Sequence, residues 1–202
     1  MSFFMADKAL EIEGEGINPL KKYYEELDQC HAFVGLFINR FSLLEMMLRR
    51  ILQQLLKIDD DVWRIVFPQP PQLSKVTEAV LSLLKRDSIN ETTRGGVRVA
   101  LEQLKDIAVL RNNVVHNGGY PSESTGKIIV RRDWFSLSDE TGGEYDFYTK
   151  EDFQSALKDL ELITNILMFE LEEFTKSFFD GQIPDGAVKQ GPWLYKPRKP
   201  KK

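Results

Sequence analysis

Residues 18–57 read NPLKKYYEELDQCHAFVGLFINRFSLLEMMLRRILQQLLK. Asn18 offers a capping side chain and Pro19 suits the first helical position, where its missing N–H costs nothing. From there Leu20, Tyr23, Leu27, His31, Val34, Ile38, Phe41, Leu44, Leu48, Ile51 and Leu55 recur at steps of three and four. That spacing predicts one long helix with a continuous apolar stripe. A second stripe, Phe33, Phe37, Leu43 and Met47, widens the apolar surface beyond one neighbour's needs, so a second subunit is an expected partner. Arg40 and Glu45 sit near the middle of the greasiest part, residues 32–48, and a membrane span would put both in hydrocarbon. The helix is therefore expected in a soluble core, with no membrane association.

The composition around this helix is that of an ordinary globular chain: 202 residues, 42% hydrophobic and 29% charged, enough for one full core. One cysteine, Cys30, cannot make an internal disulfide, and with 2 histidines the soft ligands are too few for a usual zinc site. Neither a metal nor any other cofactor is expected. A net charge of -4 is not that of a general nucleic-acid coat, so any phosphate contact must come from a local patch. The apolar residues 2–5 are interrupted by Asp7 and Lys8 before they could build a secretory signal, and a cytoplasmic location is expected.

Residues 1–17 are acidic and glycine-spaced and are expected as a flexible lead-in. Asp59, Asp60 and Asp61 cap a short helix over residues 62–67, which Pro68, Pro70 and Pro71 stop. Residues 73–85 form the next helix, residues 90–96 a turn. Val97, Leu101, Leu104, Ala108 and Val115 then mark a strong helix ending at Asn117-Gly118-Gly119. Residues 127–137 and 144–149 are β-branched and aromatic around Thr141-Gly142-Gly143, which predicts a β-hairpin over about residues 127–149. Thr149 and Asp152 bracket the cap of the last long helix, residues 150–179. Residues 181–202 read as an irregular tail ending in a basic, proline-broken run. The expected fold is an all-α, antiparallel bundle of about five helices over residues 18–180, with a hairpin insertion before the last long helix.

Most familiar chemistry is missing. No glycine spacing makes a phosphate loop, and no serine sits in a G-x-S-x-G elbow. His31 lies in the stripe of the first helix and reads as a packed or interface residue. His116 closes Arg111-Asn112-Asn113-Val114-Val115-His116 at a helix end. Arginine offers a planar, permanently charged fork for a phosphate, and histidine moves protons near neutral pH. The pair suits metal-free handling of an RNA phosphate and its 2′-hydroxyl. Cations before a C-terminal glycine also simply finish helices. On an ideal helix residues five apart point about 140° from each other. Convergence then needs an unwound last turn or a second subunit.

Arg111, Asn112 and His116, on the penultimate long helix of a small bundle, resemble the motif of the HEPN family. Asn39-Arg40-Phe41 and Leu44-Glu45 resemble that family's opening helix. The resemblance implies a metal-independent endoribonuclease acting as a homodimer with one composite cleft. His116 would be the general acid or base, Arg111 the phosphate clamp and Asn112 a positioning group. It also implies roles in toxin–antitoxin or antiviral systems, with a possible antitoxin partner. Some members are modified on a tyrosine two residues after the histidine. That position is Gly118 here, and the nearest tyrosine is Tyr120.

Glu45 is a candidate partner for Arg111, set against an ordinary pair with Arg49 one turn on. Arg40 and Tyr120 are further supporting candidates. Arg94, Arg98, Arg131 and Arg132, and the basic tail, offer extra phosphate contacts or plain solvated charge. Trp134 and its aromatic neighbours either stack bases or pack the hairpin. The competing functional reading is a non-catalytic dimerisation, RNA-binding or protein-interaction module, and a third is a nucleotide-binding sensor.

Overall fold

The computed structural model of the chain describes residues 19–86, 89–118, 120–121, 127–131, 145–175 and 192–197. Among them the fold is all-α apart from a small sheet: α1 (Pro19–Leu56), α2 (Asp60–Val66), α3 (Leu73–Arg86), α4 (Glu91–Asn117), α5 (Lys150–Glu170) and a single turn, α6 (Glu172–Thr175). β1 (Tyr120–Pro121), β2 (Ile128–Arg131) and β3 (Tyr145–Tyr148) form the sheet in that order. The expected lead-in falls outside the described residues. So does the Thr141-Gly142-Gly143 turn of the expected hairpin, with Arg132 and Trp134. Its flanks are described, and Ile128 pairs antiparallel with Tyr148 and Arg131 with Tyr145. β1, which follows the end of α4 and lies along β2, had no signature in the sequence.

The seam of α1 is Phe37, Phe41, Leu44, Leu48, Ile51 and Leu55, all buried; from Phe41 on it keeps the predicted stripe, whereas Leu20 and His31 of that stripe are exposed. The helix ends where Lys57 turns left-handed, at φ 55°. Against this seam pack Val76, Val80 and Leu84 of α3, Leu101, Leu104 and Ile107 of α4, and Phe153, Leu160 and Ile163 of α5. Phe37 and Met47, read as a second surface stripe, lie in the core, whereas Leu36, Leu43 and Met46 are exposed. By length and composition α1 is the one described helix long and apolar enough to cross a membrane.

Several expectations need correction. α5 ends at Glu170, where Leu171 caps it, rather than running on to 179. α4 begins at Glu91, not 97, and runs straight through Gly95 and Gly96. Glycine costs a helix about 1 kcal/mol. Here Asn90 caps the start by accepting Thr93 N–H at 2.8 Å, and Thr93 Oγ1 donates to Glu170 of α5 at 2.6 Å. Glu170 is thus an anchored carboxylate. Toward its other end α4 buries Ile107, Leu110 and Val114 and leaves Val115 exposed. α3, α5 and β2 all pack against α4, and the face they cover holds Ile107, Leu110 and Val114 rather than Val115. Finally, the bundle is not uniformly antiparallel. Thr93–Glu170 and Gln103–Asp159 contacts make α4 and α5 antiparallel. Gln29–Lys150 and Phe37–Phe153 contacts make α1 and α5 run the same way.

The capping box of α5 is complete: Asp152 N–H donates to Thr149 Oγ1 at 3.2 Å, and Thr149 N–H to Asp152 Oδ2 at 2.8 Å. The C-terminal tail is not wholly loose. Residues 192–197 return to the seam of α4 and α5, where Tyr195 is buried and Trp193 packs against the core. They are held by Asp159, itself 1% exposed. Its carboxylate accepts Leu194 N–H at 3.0 Å, Tyr195 N–H at 2.8 Å and Gln103 Nε2 at 2.9 Å. Gln103 also donates to the Tyr195 carbonyl at 2.9 Å.

Candidate functional site

The chemistry singled out in the sequence gathers where α4 ends beside the middle of α1 and the start of α5. Under it runs a chain of aromatic contacts. Tyr148 meets Phe153 with ring centres 6.2 Å apart, Phe153 meets Phe37 at 5.6 Å, and Phe37 meets Phe41 at 6.3 Å. The Arg111 guanidinium lies over the Phe41 ring, 5.7 Å from its centre. Such stacking stabilises a cation by about 0.5–2 kcal/mol and fixes the plane of the fork. Arg111 is half-buried, its Nη1 donates to Asn112 Oδ1 at 3.0 Å, and its Nε is enclosed without an acceptor. Among the described residues no carboxylate pairs with it. A half-buried, uncompensated guanidinium favours an oxyanion.

Asn112 and His116 are both exposed, one turn apart on the solvent face of α4, so the Arg111–Asn112 bond draws the fork toward the histidine's face. The helix stays regular through Asn117 and is closed by Gly118, whose N–H donates to Val114 O at 2.9 Å. The last turn is therefore not unwound to bring Arg111 and His116 together. Asn113, between them, donates from Nδ2 to the Tyr148 hydroxyl at 2.9 Å and ties this end of α4 to β3. Gly118 holds φ 71° and ψ 176°, a backbone region nearly reserved for glycine. Gly118→Ala is expected to lower stability by about 1–3 kcal/mol, which chemical denaturation measures directly.

Two of the supporting candidates, Glu45 and Arg40, are engaged elsewhere. Glu45 pairs with Arg49 at 3.8 Å, the ordinary one-turn ion pair. Arg40 follows Phe41's neighbouring face and lines a groove between α1 and α5 with Leu36, Leu43, Met47, Lys158 and Glu161. A residue next to Phe41 points about 100° away from it, so Arg40 does not share the ring's face with Arg111. Tyr120 opens β1, its backbone paired with Ile129. His31 is exposed, not packed. Arg98 lies about 20 Å of helix from Arg111, and Arg94 farther still, so neither extends this site. Among the described residues no group of three metal-ligating side chains converges.

What the sequence reading missed is the support: the aromatic run beneath Arg111, and Asn113 with Tyr148. Asn113 is one of two successive asparagines after Arg111, and its bond to Tyr148, 35 residues on, leaves no local signal. Cys30 is buried, and burial pushes its thiol up from its ordinary value, which leaves it protonated and unreactive at neutral pH. No family model matches this chain, and no curated protein or solved structure matches it either.

Proposed function

We propose that the protein is a metal-independent endoribonuclease of HEPN type that works as a homodimer in the cytoplasm. The observation that carries this reading is Arg111: a half-buried guanidinium fixed on an aromatic platform, without a carboxylate among the described residues, bonded to Asn112 one turn before His116. In the reaction His116 takes the proton of the 2′-hydroxyl as it attacks the adjacent phosphate. Arg111 holds the non-bridging oxygens as charge builds on them, Asn112 orients the fork, and the P–O5′ bond breaks as the 2′,3′-cyclic phosphate forms, the leaving 5′-oxygen taking a proton from water. Because α4 is unbroken, the Arg111 of one subunit serves the His116 of the other. Val109 and Val115, 53% and 45% exposed beside the motif, give this end of α4 an apolar rim suited to that contact. A role as a toxin or defence effector, with an antitoxin partner, belongs to this reading.

The test is cleavage of end-labelled tRNA and of an unstructured RNA in EDTA, alongside sedimentation at micromolar concentration. Cuts that leave cyclic-phosphate ends, made by a dimer, are the expected result. A strictly monomeric profile removes the composite site. The alternative, a non-catalytic dimerisation or RNA-binding module, is favoured by one observation: about 140° separates Arg111 and His116 on a regular helix. Saturable RNA binding by a folded dimer that makes no cuts decides for it.

A further inference from the structure

The far end of α4 carries a second group of cations that the proposed cleft does not use. Leu81, Leu84 and Lys85 of α3 face Glu91, Arg94, Gly95 and Arg98 of α4 across a cleft of about 300 Å³. Arg94 and Arg98 are one turn apart and so share a face. Arg94 pairs with Glu91 through Nη2, while its Nε is enclosed without an acceptor. Leu84 is fully buried and Leu81 half-buried, which makes the floor apolar. Gly95 opens the wall: a Cβ there meets nothing within 4 Å. The cleft also lies at the first turns of a long helix, where the backbone dipole adds positive potential.

We infer that this cleft binds a phosphate monoester carried on a small apolar body. Two guanidinium forks and an ammonium against one carboxylate, among the described lining residues, suit a dianion better than the single charge of a diester. The apolar floor and the open side of Gly95 accept a flat or aliphatic group next to the phosphate. A cleft of this volume is at the small end for ligand sites, which favours one ring or a strand end over a protein surface. Two sources share that chemistry: a small organic phosphate and the terminal phosphate of a nucleic-acid strand. The inference is independent of the ribonuclease reading, since this cleft and Arg111 are separated by about 20 Å of helix or more.

The experiment is calorimetric titration of the full chain at pH 7.5 with phenyl phosphate, with the diester methyl phenyl phosphate, and with 5′-phosphorylated and 5′-hydroxyl oligodeoxynucleotides. DNA has no 2′-hydroxyl and is not cut by the proposed chemistry. Phenyl phosphate is expected to saturate and the diester to bind about tenfold more weakly or not at all. Arg98→Gln is expected to weaken the monoester about tenfold. Gly95→Leu is expected to abolish binding by filling the cleft without removing a charge, and to leave the melting temperature equal or higher, because leucine is the better helix former. Tighter binding of the 5′-phosphorylated oligonucleotide, lost in Gly95→Leu, identifies the strand end as the source. Binding of phenyl phosphate alone identifies the small molecule. No saturation by any probe, or equal affinity in Arg98→Gln and Gly95→Leu, overturns the site. Loss of binding in Arg111→Gln with Arg98→Gln unaffected overturns it as well.

Discussion

His116→Ala is expected to lower the rate of RNA cleavage by about two to four orders of magnitude, with the far-UV helix signal unchanged. The histidine is exposed and makes no hydrogen bond or ion pair among the described residues, so its removal disturbs no packing. Arg111→Ala is expected to cost as much in rate and, in addition, some stability, because it strips the cover from Phe41. Arg111→Lys separates charge from shape. It keeps the cation and loses the fork, and it is expected to recover only part of the activity. The sharper result comes from mixing the two alanine variants. If each site joins Arg111 of one subunit to His116 of the other, a mixed dimer contains one complete site and one that lacks both groups. With random exchange half the dimers are mixed, so about a quarter of wild-type activity is expected to return. A site built within one chain gives no recovery at all. The regular α4 makes the first outcome the expected one, and activity absent from the mixture while present in wild type would sink the composite arrangement.

What could be read in advance divides along physical lines. α1 was legible because one periodic seam fixed its span and, from Phe41 onward, most of its inward face, and Thr149 with Asp152 announced the start of α5. Glu45 and Arg49, four apart, were an equally local pair. Misreadings arose where a tertiary contact overrode a local preference. Gly95 and Gly96 signal a turn by propensity, and the cap at Asn90, the Thr93–Glu170 bond and the burial of Val97 and Ala100 hold them in the helix. The parallel course of α1 and α5 depends on how the chain crosses through the sheet, which no periodicity encodes. For the candidate site the sequence supplied the motif but not its support. The aromatic contacts join residues from α1, β3 and α5, and long-range pairings of that kind leave no spacing to find.

Asp159 is the instructive exception, because its signal was local and unread. It falls on the inward register of α5, between Ala156 and Ile163 and next to Leu160, all buried. A carboxylate on an apolar face is stable only when donors surround it. The donors are two successive amides of the C-terminal segment and the amide of Gln103, itself 6% exposed on the inner face of α4. One side chain therefore joins α4, α5 and residues 192–197. Asp159→Ala takes the acceptor from the Leu194 and Tyr195 amides, leaves Gln103 only its bond to the Tyr195 carbonyl, and is expected to lower stability by about 2–4 kcal/mol. For a chain of this size that is a fall of roughly 4–16 °C in melting temperature. The loss should not add to that of deleting residues 192–202. In the shortened chain Asp159 has already lost two of its three donors, so Asp159→Ala there is expected to be near neutral. The difference between the two backgrounds measures the coupling. Equal losses in the full and the shortened chain would show that the carboxylate acts within the helices alone, with no hold on the C-terminal segment.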